Sequence, residues 1–517
     1  MPDRQYSKMN SSATSRMWVL GILVAMGVLT WGFLDDFSSP WTDKLDANGA
    51  CWSQSAHNTL RAGLRATAGV PSAFYFGTLP IPSDGYYSHH PPLLSLTLAG
   101  MFAVLGEKEW VARLLPVSFS FISVVLLWML VQRCVNARAA TLCVVCFAAM
   151  PMELRYGRMV NFEPINLVWM LGGLLGLRLW EQTGRRAWRL LMLVCLALSL
   201  WTEWLGYLFV LLLIPRLSCS PNRRNAGVVF WLLGISVASL LLFLVQVRNV
   251  QPDAWHGMLA ATARRMGQAG IQVTWGHWWT RMLDVLGSHI QPAAWLLALG
   301  GGLVVWRSKG SEALRWLGGA ASCFVVMSVI YVTAFRNLSS IHDYVSFYFA
   351  VPVAMMAGAG LDSLIRWSKS RGRVLYTAAC SATLLVVVLL VGTGEQQASG
   401  LRRQFHILAS DQPEPPSLIP QLGRMMREKF PEDTAVICNF LPDYGPQLHY
   451  YAQRELLQNA SEPAHWKALI DDPQNAPLAG VVWLEAPGAT DILSTLPRGT
   501  QETITIAGIP FCFWRPQ

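Results

Sequence analysis

Pro91-Pro92-Leu93-Leu94-Ser95-Leu96-Thr97-Leu98-Ala99-Gly100-Met101-Phe102-Ala103-Val104-Leu105-Gly106 is the stretch on which the threading of this chain turns. It is apolar, yet its length of about fifteen residues falls short of the roughly 20 that a membrane crossing needs. A proline pair suits the first turn of a helix. The stretch reads as a helix lying along a membrane face. It belongs to a long polar connection from Leu34 to Arg113 with acids at both ends: Asp35-Asp36 and Asp46-Ala47-Asn48-Gly49-Ala50 before it, Glu107-Lys108-Glu109-Trp110 after it. Ionisable groups held against a membrane are costly and usually serve chemistry or transport.

Outward from this loop the chain is a membrane protein. Hydrophobic residues make up 53% of it and charged residues 14%, against roughly 25% charged in soluble domains. Apolar runs recur at 17–34, 112–132, 139–155, 162–180, 187–201, 204–217, 226–246, 291–306, 315–335, 343–366 and 373–393, about eleven spans. The first lacks a small-residue cleavage site and reads as a span, not a removed signal. With 91–106 kept out of the membrane, one side collects Arg4, Lys8, Arg16, Arg133, Arg138, Arg178, Arg185, Arg186, Arg189, Arg216, Arg223, Arg224, Arg307, Lys309, Arg315, Arg366, Lys369, Arg371 and Arg373. The short opposite loops hold little beyond Arg155, Arg158 and Arg336. This is the positive-inside pattern, and it spreads the net charge of +9 in a way unlike a nucleic-acid surface. It predicts a cytoplasmic N-terminus and places the 35–111 loop, Glu163, Glu203, the 247–290 loop, the 336–344 loop and the tail together outside.

The expected organisation is an all-α membrane domain over 1–394 and an extracytoplasmic α/β domain over 395–517. After a proline-bearing linker (Gln412 to Pro416), the tail alternates helical patterns (417–430, 446–458, 489–496) with β-rich runs (Thr434 to Asn439, Gly480 to Leu484, Thr503 to Ile506, Pro510 to Trp514). Cys143 and Cys146 have a CxxC spacing but sit in an apolar run, as buried thiols do. Cys438 and Cys512 are candidates to pair if the tail is extracytoplasmic.

Asp46 opens a polar, helix-like run through Asn48, Gln54, His57 and Asn58. It suits a helix N-cap; equally, an interfacial carboxylate can deprotonate a hydroxyl presented from water. Glu163, beside Pro164, suits a helix start through the dipole. Alternatively it shares a pocket with Asp46, orienting an acceptor or holding a divalent cation, while Arg158 of the Arg155-Tyr156-Gly157-Arg158 run meets a phosphate with its planar fork. Glu203, between Trp201-Thr202 and Trp204, is either an acid of an aromatic belt or part of that pocket. His342-Asp343-Tyr344 is either a solvated loop or a contact for phosphate or donor sugar. His89 and His90 are adjacent and so seldom share an ion; they position the juxtamembrane helix or touch substrate.

With these residues in view the chain resembles the GT-C superfamily of polyprenyl-phosphate-dependent glycosyltransferases, in the bacterial branch near protein O-mannosyltransferases and the lipid A aminoarabinose transferase. Asp46-x-Asn48-Gly49-Ala50 with Ala56-His57-Asn58 is similar to the family's first-loop acid and following helix. His89-His90-Pro91-Pro92-Leu93-Leu94 with Gly106-Glu107-Lys108-Glu109-Trp110 resembles its juxtamembrane helix and second span. Arg155-Tyr156-Gly157-Arg158 with Glu163-Pro164 looks like its second acidic site, and His342-Asp343-Tyr344 like a late-span motif. Glu163 stands where relatives carry Asp, and Ala47 where many have a second acid, which weakens any case for a metal there.

The resemblance implies a bundle of about eleven transmembrane helices with outer juxtamembrane helices. It implies a hexosyl- or pentosyltransferase of the bacterial inner membrane that uses a polyprenyl-phosphate sugar such as an undecaprenyl-phosphate donor at the periplasmic face of the cell envelope. Asp46 and Glu163 would be its catalytic acids. Asn48, His57, Asn58, His89, His90, Arg155, Arg158, Glu203, His342, Asp343 and Tyr344 would contact donor or acceptor, the acceptor being a lipid, glycan or protein. A transporter of lipid-linked sugars is the first rival, but such folds show paired half-repeats and midplane charges, and no repeat is visible. An oligosaccharyltransferase or glycan polymerase of related architecture is the second; the tail lacks the Trp-Trp-Asp-Tyr-Gly signature of the former.

Overall fold

The computed structural model describes residues 11–42, 45–218, 224–270, 272–308, 311–400, 417–438, 445–457, 476–484 and 498–517. Helix α1 (Ser11–Leu34) leads into the first loop, which carries α2 (Asp46–Ala62), the single turn α3 (Leu64–Thr67) and α4 (Leu93–Leu105). Pro92 caps the start of α4, and Gly106 ends it at φ 84°, a conformation glycine adopts without steric cost. At 1.5 Å per residue α4 reaches only about 20 Å, against a hydrocarbon core of roughly 30 Å. It packs along α2, burying Leu94, Leu98 and Phe102 in the cluster that holds Trp52 and Ala56.

The bundle continues through α5 (Glu109–Cys134), α6 (Ala137–Ala148), α7 (Pro151–Tyr156), α8 (Phe162–Thr183), α9 (Arg186–Thr202), α10 (Trp204–Ser218) and α11 (Arg224–Val250). Two helices, α12 (Ala254–Met266) and α13 (Trp275–His289), fill the 247–290 connection. Then come α14 (Pro292–Arg307), α15 (Glu312–Ala334), the short α16 (Arg336–Ile341), a 3-10 turn at Asp343–Phe349, α17 (Ala350–Arg371) and α18 (Arg373–Gly400). Each apolar run read from the sequence falls on helix. Among the described residues, however, only five helices are long and apolar enough to cross a membrane, or six if α13 and α14, which meet at 94°, form one broken span. The expected eleven exceed this because α6 breaks at Pro151 after 12 residues, α9 has 17 residues, and α8 carries Glu163, Arg178 and Glu181. Small residues let the helices close in. A Cβ at Gly301 of α14 would lie 1.8 Å from the Met356 carbonyl of α17, so only glycine permits that approach.

The C-terminal part holds α19 (Leu418–Lys429), β1 (Ala435–Cys438), α20 (Gly445–Ala452), β2 (Glu455–Leu457), β3 (Leu478–Leu484), β4 (Gly499–Ile506) and β5 (Ile509–Pro516). The sheet order is β2-β1-β3-β5-β4, parallel over β2-β1-β3 and antiparallel over β3-β5-β4. The helix expected over 446–458 stops at Ala452; Gln453 turns at φ 48° and the chain enters β2 instead. The linker at 412–416 and the helix expected at 489–496 lie outside the described residues. Cys438 and Cys512 alternate to opposite faces of the sheet, one packed with Val436, Val482 and Phe511, the other with Ile437, Trp483 and Trp514. Strand periodicity therefore keeps the two sulfurs on different sides.

The sheet domain does not hang free. Leu418, Leu422, Met426 and Tyr451 share one continuous hydrophobic cluster with Trp41, Trp52, Leu94 and Leu98 of the first loop. Gln54 Nε2 donates to the Pro446 carbonyl at 2.6 Å, and the Phe76 N–H donates to Glu455 at 2.7 Å. The first loop and the sheet domain therefore share one core.

Candidate active site

Asp46 is the first residue of α2, preceded by Leu45 in helical conformation, so it is not itself the cap. Its Oδ1 accepts from Arg113 Nη2 at 3.0 Å and its Oδ2 from the Thr42 N–H at 2.9 Å. Arg113, buried in α5, also donates to the Phe37 and Ser39 carbonyls and lies 4.1 Å from the Trp41 ring centroid. Gly49 allows this packing: a Cβ there would fall 2.6 Å from the Trp41 ring. Arg155, Arg158, Met159 and Val160 complete the narrow cleft around Asp46. Arg158 also donates to Asp36 at 3.1 Å.

Next to this cleft lies a cavity of about 520 Å³ lined by side chains from six separate stretches of chain. Asn48 and Trp52 come from α2, Tyr87 and His90 from the first loop, and Asn161 and Glu163 from the start of α8. Glu203 sits at the α9–α10 turn, Arg264 and Arg265 at the end of α12, and Tyr331, Asn337, His342 and Tyr344 at the end of α15 and beyond it. Asn48 Nδ2 reaches Met159 Sδ at 3.4 Å, where cleft and cavity adjoin.

Glu163 is 2% exposed, its Oε2 has no hydrogen-bond partner, and the charge of Glu203 acts on it. Glu203 is better provided for. Tyr348 OH donates to its Oε2 at 2.9 Å, and Asn166 Nδ2 and Tyr331 OH approach at 3.4 Å. In the same cavity, Arg265 Nη2 donates to Tyr87 OH at 3.2 Å. The His90 ring stacks between Tyr87 and Phe162, 5.9 and 4.5 Å away. Burial, with Arg265 and Arg264 nearby, pushes the His89 imidazole down to about 4; burial, with Arg265 and His89 adding, holds His90 well below its usual range. Both rings are neutral hydrogen-bonding groups at physiological pH.

The sequence-predicted residues thus divide. Asn48, His90, Glu163, Glu203, His342 and Tyr344 line the large cavity, and Asp46, Arg155 and Arg158 the adjoining cleft. The other four are placed elsewhere. Asn58 is fully buried and donates to the Ser72 and Tyr75 carbonyls, fastening the loop. The His89 carbonyl accepts from Trp204 Nε1 at 2.6 Å, which anchors the start of the juxtamembrane segment. Asp343 is gripped by Arg281 of α13, and His57 pairs with Glu107 at 2.7 Å in another cavity.

Arg264 and Arg265 were not anticipated. The available signal was a basic pair in a connection that charge parity places outside, against the positive-inside trend. Asn337 fixes their position by donating to the Arg264 carbonyl at 3.1 Å, beside Gly267, which turns the chain at φ 73°. A metal fits poorly: among the described residues no three His, Cys, Asp or Glu side chains converge as ligands would.

Comparison with known proteins bears on this geometry. Residues 89–248 match the family described as dolichyl-phosphate-mannose-protein mannosyltransferase. No curated protein sequence matches. The structure is similar to ArnT from Cupriavidus metallidurans bound to undecaprenyl phosphate, with a TM-score of 0.63 at 13% identity, covering 97% of this chain and 98% of that one. It is similar to the Archaeoglobus fulgidus oligosaccharyltransferase, with a TM-score of 0.61 at 13% identity over 92% of this chain and 70% of that one. It also resembles the arabinofuranosyltransferase AftD from Mycobacteria, with a TM-score of 0.51 at 12% identity over 98% of this chain and 40% of that one. The likeness is one of fold, and the fold is that of GT-C membrane glycosyltransferases, as the motifs implied.

Proposed function

We propose that this GT-C-fold chain is an inverting glycosyltransferase that moves a sugar from a polyprenyl phosphate to an acceptor at the outer face of a bacterial inner membrane. The observation that carries this reading is the convergence of six distant stretches on one cavity that holds Glu163 and Glu203 together with Arg264 and Arg265, adjoining the Asp46 cleft. Undecaprenyl phosphate was present in the ArnT structure, and a lipid phosphate is the ligand that such arginines suit.

In this mechanism Asp46 takes the proton of an acceptor hydroxyl or amine as that atom attacks the anomeric carbon. The bond from that carbon to the phosphate oxygen breaks, the electron pair leaves on the lipid phosphate, and the configuration inverts. Arg113 and the Thr42 N–H each hold one Asp46 oxygen and fix the direction in which the carboxylate faces the cleft. A phosphate monoester, with a second pKa of about 6, leaves without a proton donor, unlike a glycosidic alcohol, which requires a second acid. Arg264, Arg265 and Arg158 meet the departing charge. The partnerless oxygen of Glu163 accepts from a sugar or acceptor hydroxyl.

Likeness to an oligosaccharyltransferase keeps a lipid-linked oligosaccharide donor as the second reading. Membranes containing the protein, supplied with a panel of polyprenyl-phosphate and polyprenyl-diphosphate sugars, separate the two. Release of polyprenyl monophosphate with an inverted product supports the proposal. Release of the diphosphate alone supports the second reading, and movement of intact donor across vesicles without release makes the chain a transporter.

A further inference from the structure

A third cavity, of about 320 Å³, opens where the C-terminal domain meets the first loop, and the chemistry above does not use it. His57 of α2 with Glu107 and Glu109 at the entry to α5 form one wall. Arg424 and Arg427 of α19 form another, and Tyr450, Tyr451 and Gln453 close it. The walls are preset by contacts within and across the seam. His57 Nδ1 lies 2.7 Å from Glu107 Oε2, Tyr451 OH donates to Glu109 Oε1 at 2.8 Å, and the Arg424 guanidinium sits 5.7 Å from the Tyr451 ring centroid. Arg424 and Arg427 are exposed and, three residues apart on a helix, share a face.

The lining names its occupant by what it lacks as well as by what it offers. Among the described residues no aliphatic side chain borders the cavity, so the lining they form gives a lipid tail or an apolar peptide side chain little to gain from entering it. The carboxylates accept from hydroxyls, the guanidinium groups donate to hydroxyl and ring oxygens, and the tyrosines supply aromatic surface for C–H groups. Those three needs together describe a saccharide.

The seam also communicates with the site. The Trp41 N–H donates to Tyr451 OH at 2.7 Å, and the Trp41 ring meets Tyr450 edge-on at 6.3 Å. Trp41 in turn lines the Asp46 cleft. One aromatic layer separates the cavity from the proposed base.

We propose that this seam between the C-terminal domain and the first loop binds the saccharide part of the acceptor. Calling the occupant an acceptor rests on the transferase reading; saccharide binding itself does not. Full-length protein in detergent, applied to an oligosaccharide array with a peptide array alongside, tests it. Wild type and Asp46→Asn should retain one saccharide class. The double variant Arg424→Gln/Arg427→Gln should lose about tenfold or more in apparent affinity, the scale of a lost charge-assisted hydrogen bond. Glu109→Gln, which approaches the seam from the membrane domain, should lower binding independently of α19. Glu428→Gln, exposed on α19 and outside the cavity lining, should bind as wild type does. The site is overturned if no saccharide binds, if binding survives both sets of variants undiminished, or if only peptides are retained. If every donor fails to turn over while the seam still binds saccharide, the transferase reading falls and the binding site stands.

Discussion

Asp46 and Glu163 are both acids at helix starts, yet their surroundings differ in kind. Asp46 has a guanidinium at 3.0 Å and a backbone donor at 2.9 Å, with its side chain 18% exposed. Glu163 is almost wholly buried, has another carboxylate for a neighbour, and keeps one oxygen without a partner. Leaving a buried polar atom unsatisfied costs about 1–3 kcal/mol, and more when it is charged. The fold therefore gains from the first acid and tolerates the second. Local structure alone accounts for Asp46 being where it is, so its chemistry has to appear as a loss of rate. Asn161 and the backbone N–H of Glu163 itself, at the start of α8, meet part of its carboxyl, so the cost falls on the one oxygen without a partner, and that cost marks a candidate functional position.

The comparison breaks first at Asp46. Asp46→Asn should reduce transfer by about 10²–10⁴-fold, the range for a lost general base, measured as release of polyprenyl phosphate in membranes. It should also lower the melting temperature, because Arg113, 4% exposed, keeps its carbonyl bonds and its Trp41 contact but loses its countercharge. A rate within tenfold of wild type would remove Asp46 from the proposed step. Next in size is Arg265→Gln. Loss of one charged hydrogen bond to phosphate is worth about 1.5–3 kcal/mol, roughly 10- to 100-fold in kcat/KM for the donor. An unchanged kcat/KM would place the phosphate elsewhere, with Arg158 as the next arginine to test.

How far the sequence revealed this site follows from what each residue has nearby in the chain. Glu163, Glu203 and Tyr344 stand out as polar residues at the ends of apolar runs, where a membrane makes them expensive, and Asn48 stands out through the polar run that Asp46 opens. Arg264 and Arg265 do not, because a basic pair in the last turn of a helix is what the dipole favours anyway. Only the placement of α12 against α16 turns them toward the acids. His57 and Asn58 lie in the same polar run as Asp46, but helical rotation sends one to the domain seam and the other into the loop's own carbonyls. That 91–106 holds one short helix, α4, was legible from its length and its proline pair. The strand β2 that ends the 446–458 stretch was not, since a three-residue strand offers no periodicity to read. The short spans expose the same limit: hydropathy locates the helices, but packing in the bundle decides how much of each must be apolar.

The smaller effects sharpen the contrast at Glu163. Glu163→Gln removes the carboxylate that faces Glu203 and keeps the acceptor oxygen, so it should slow transfer by about tenfold while raising the melting temperature, the opposite of the stability change at Asp46. A fall in both would mean that the Asn161 and backbone bonds to the buried acid outweigh the cost of its partnerless oxygen, and would return it to an ordinary structural role. Tyr348→Phe is the finest probe. It deletes one bond of 2.9 Å to Glu203 Oε2, worth about 0.5–1.5 kcal/mol, and should change the rate by less than about tenfold. If Glu203 acts on Glu163 through their shared charge, the Tyr348→Phe effect should shrink in a Glu163→Gln background, because a single remaining carboxylate needs less stabilisation. Strict additivity of the two changes would show that the acids work separately, since coupled neighbours depart from it by about 0.5 kcal/mol or more.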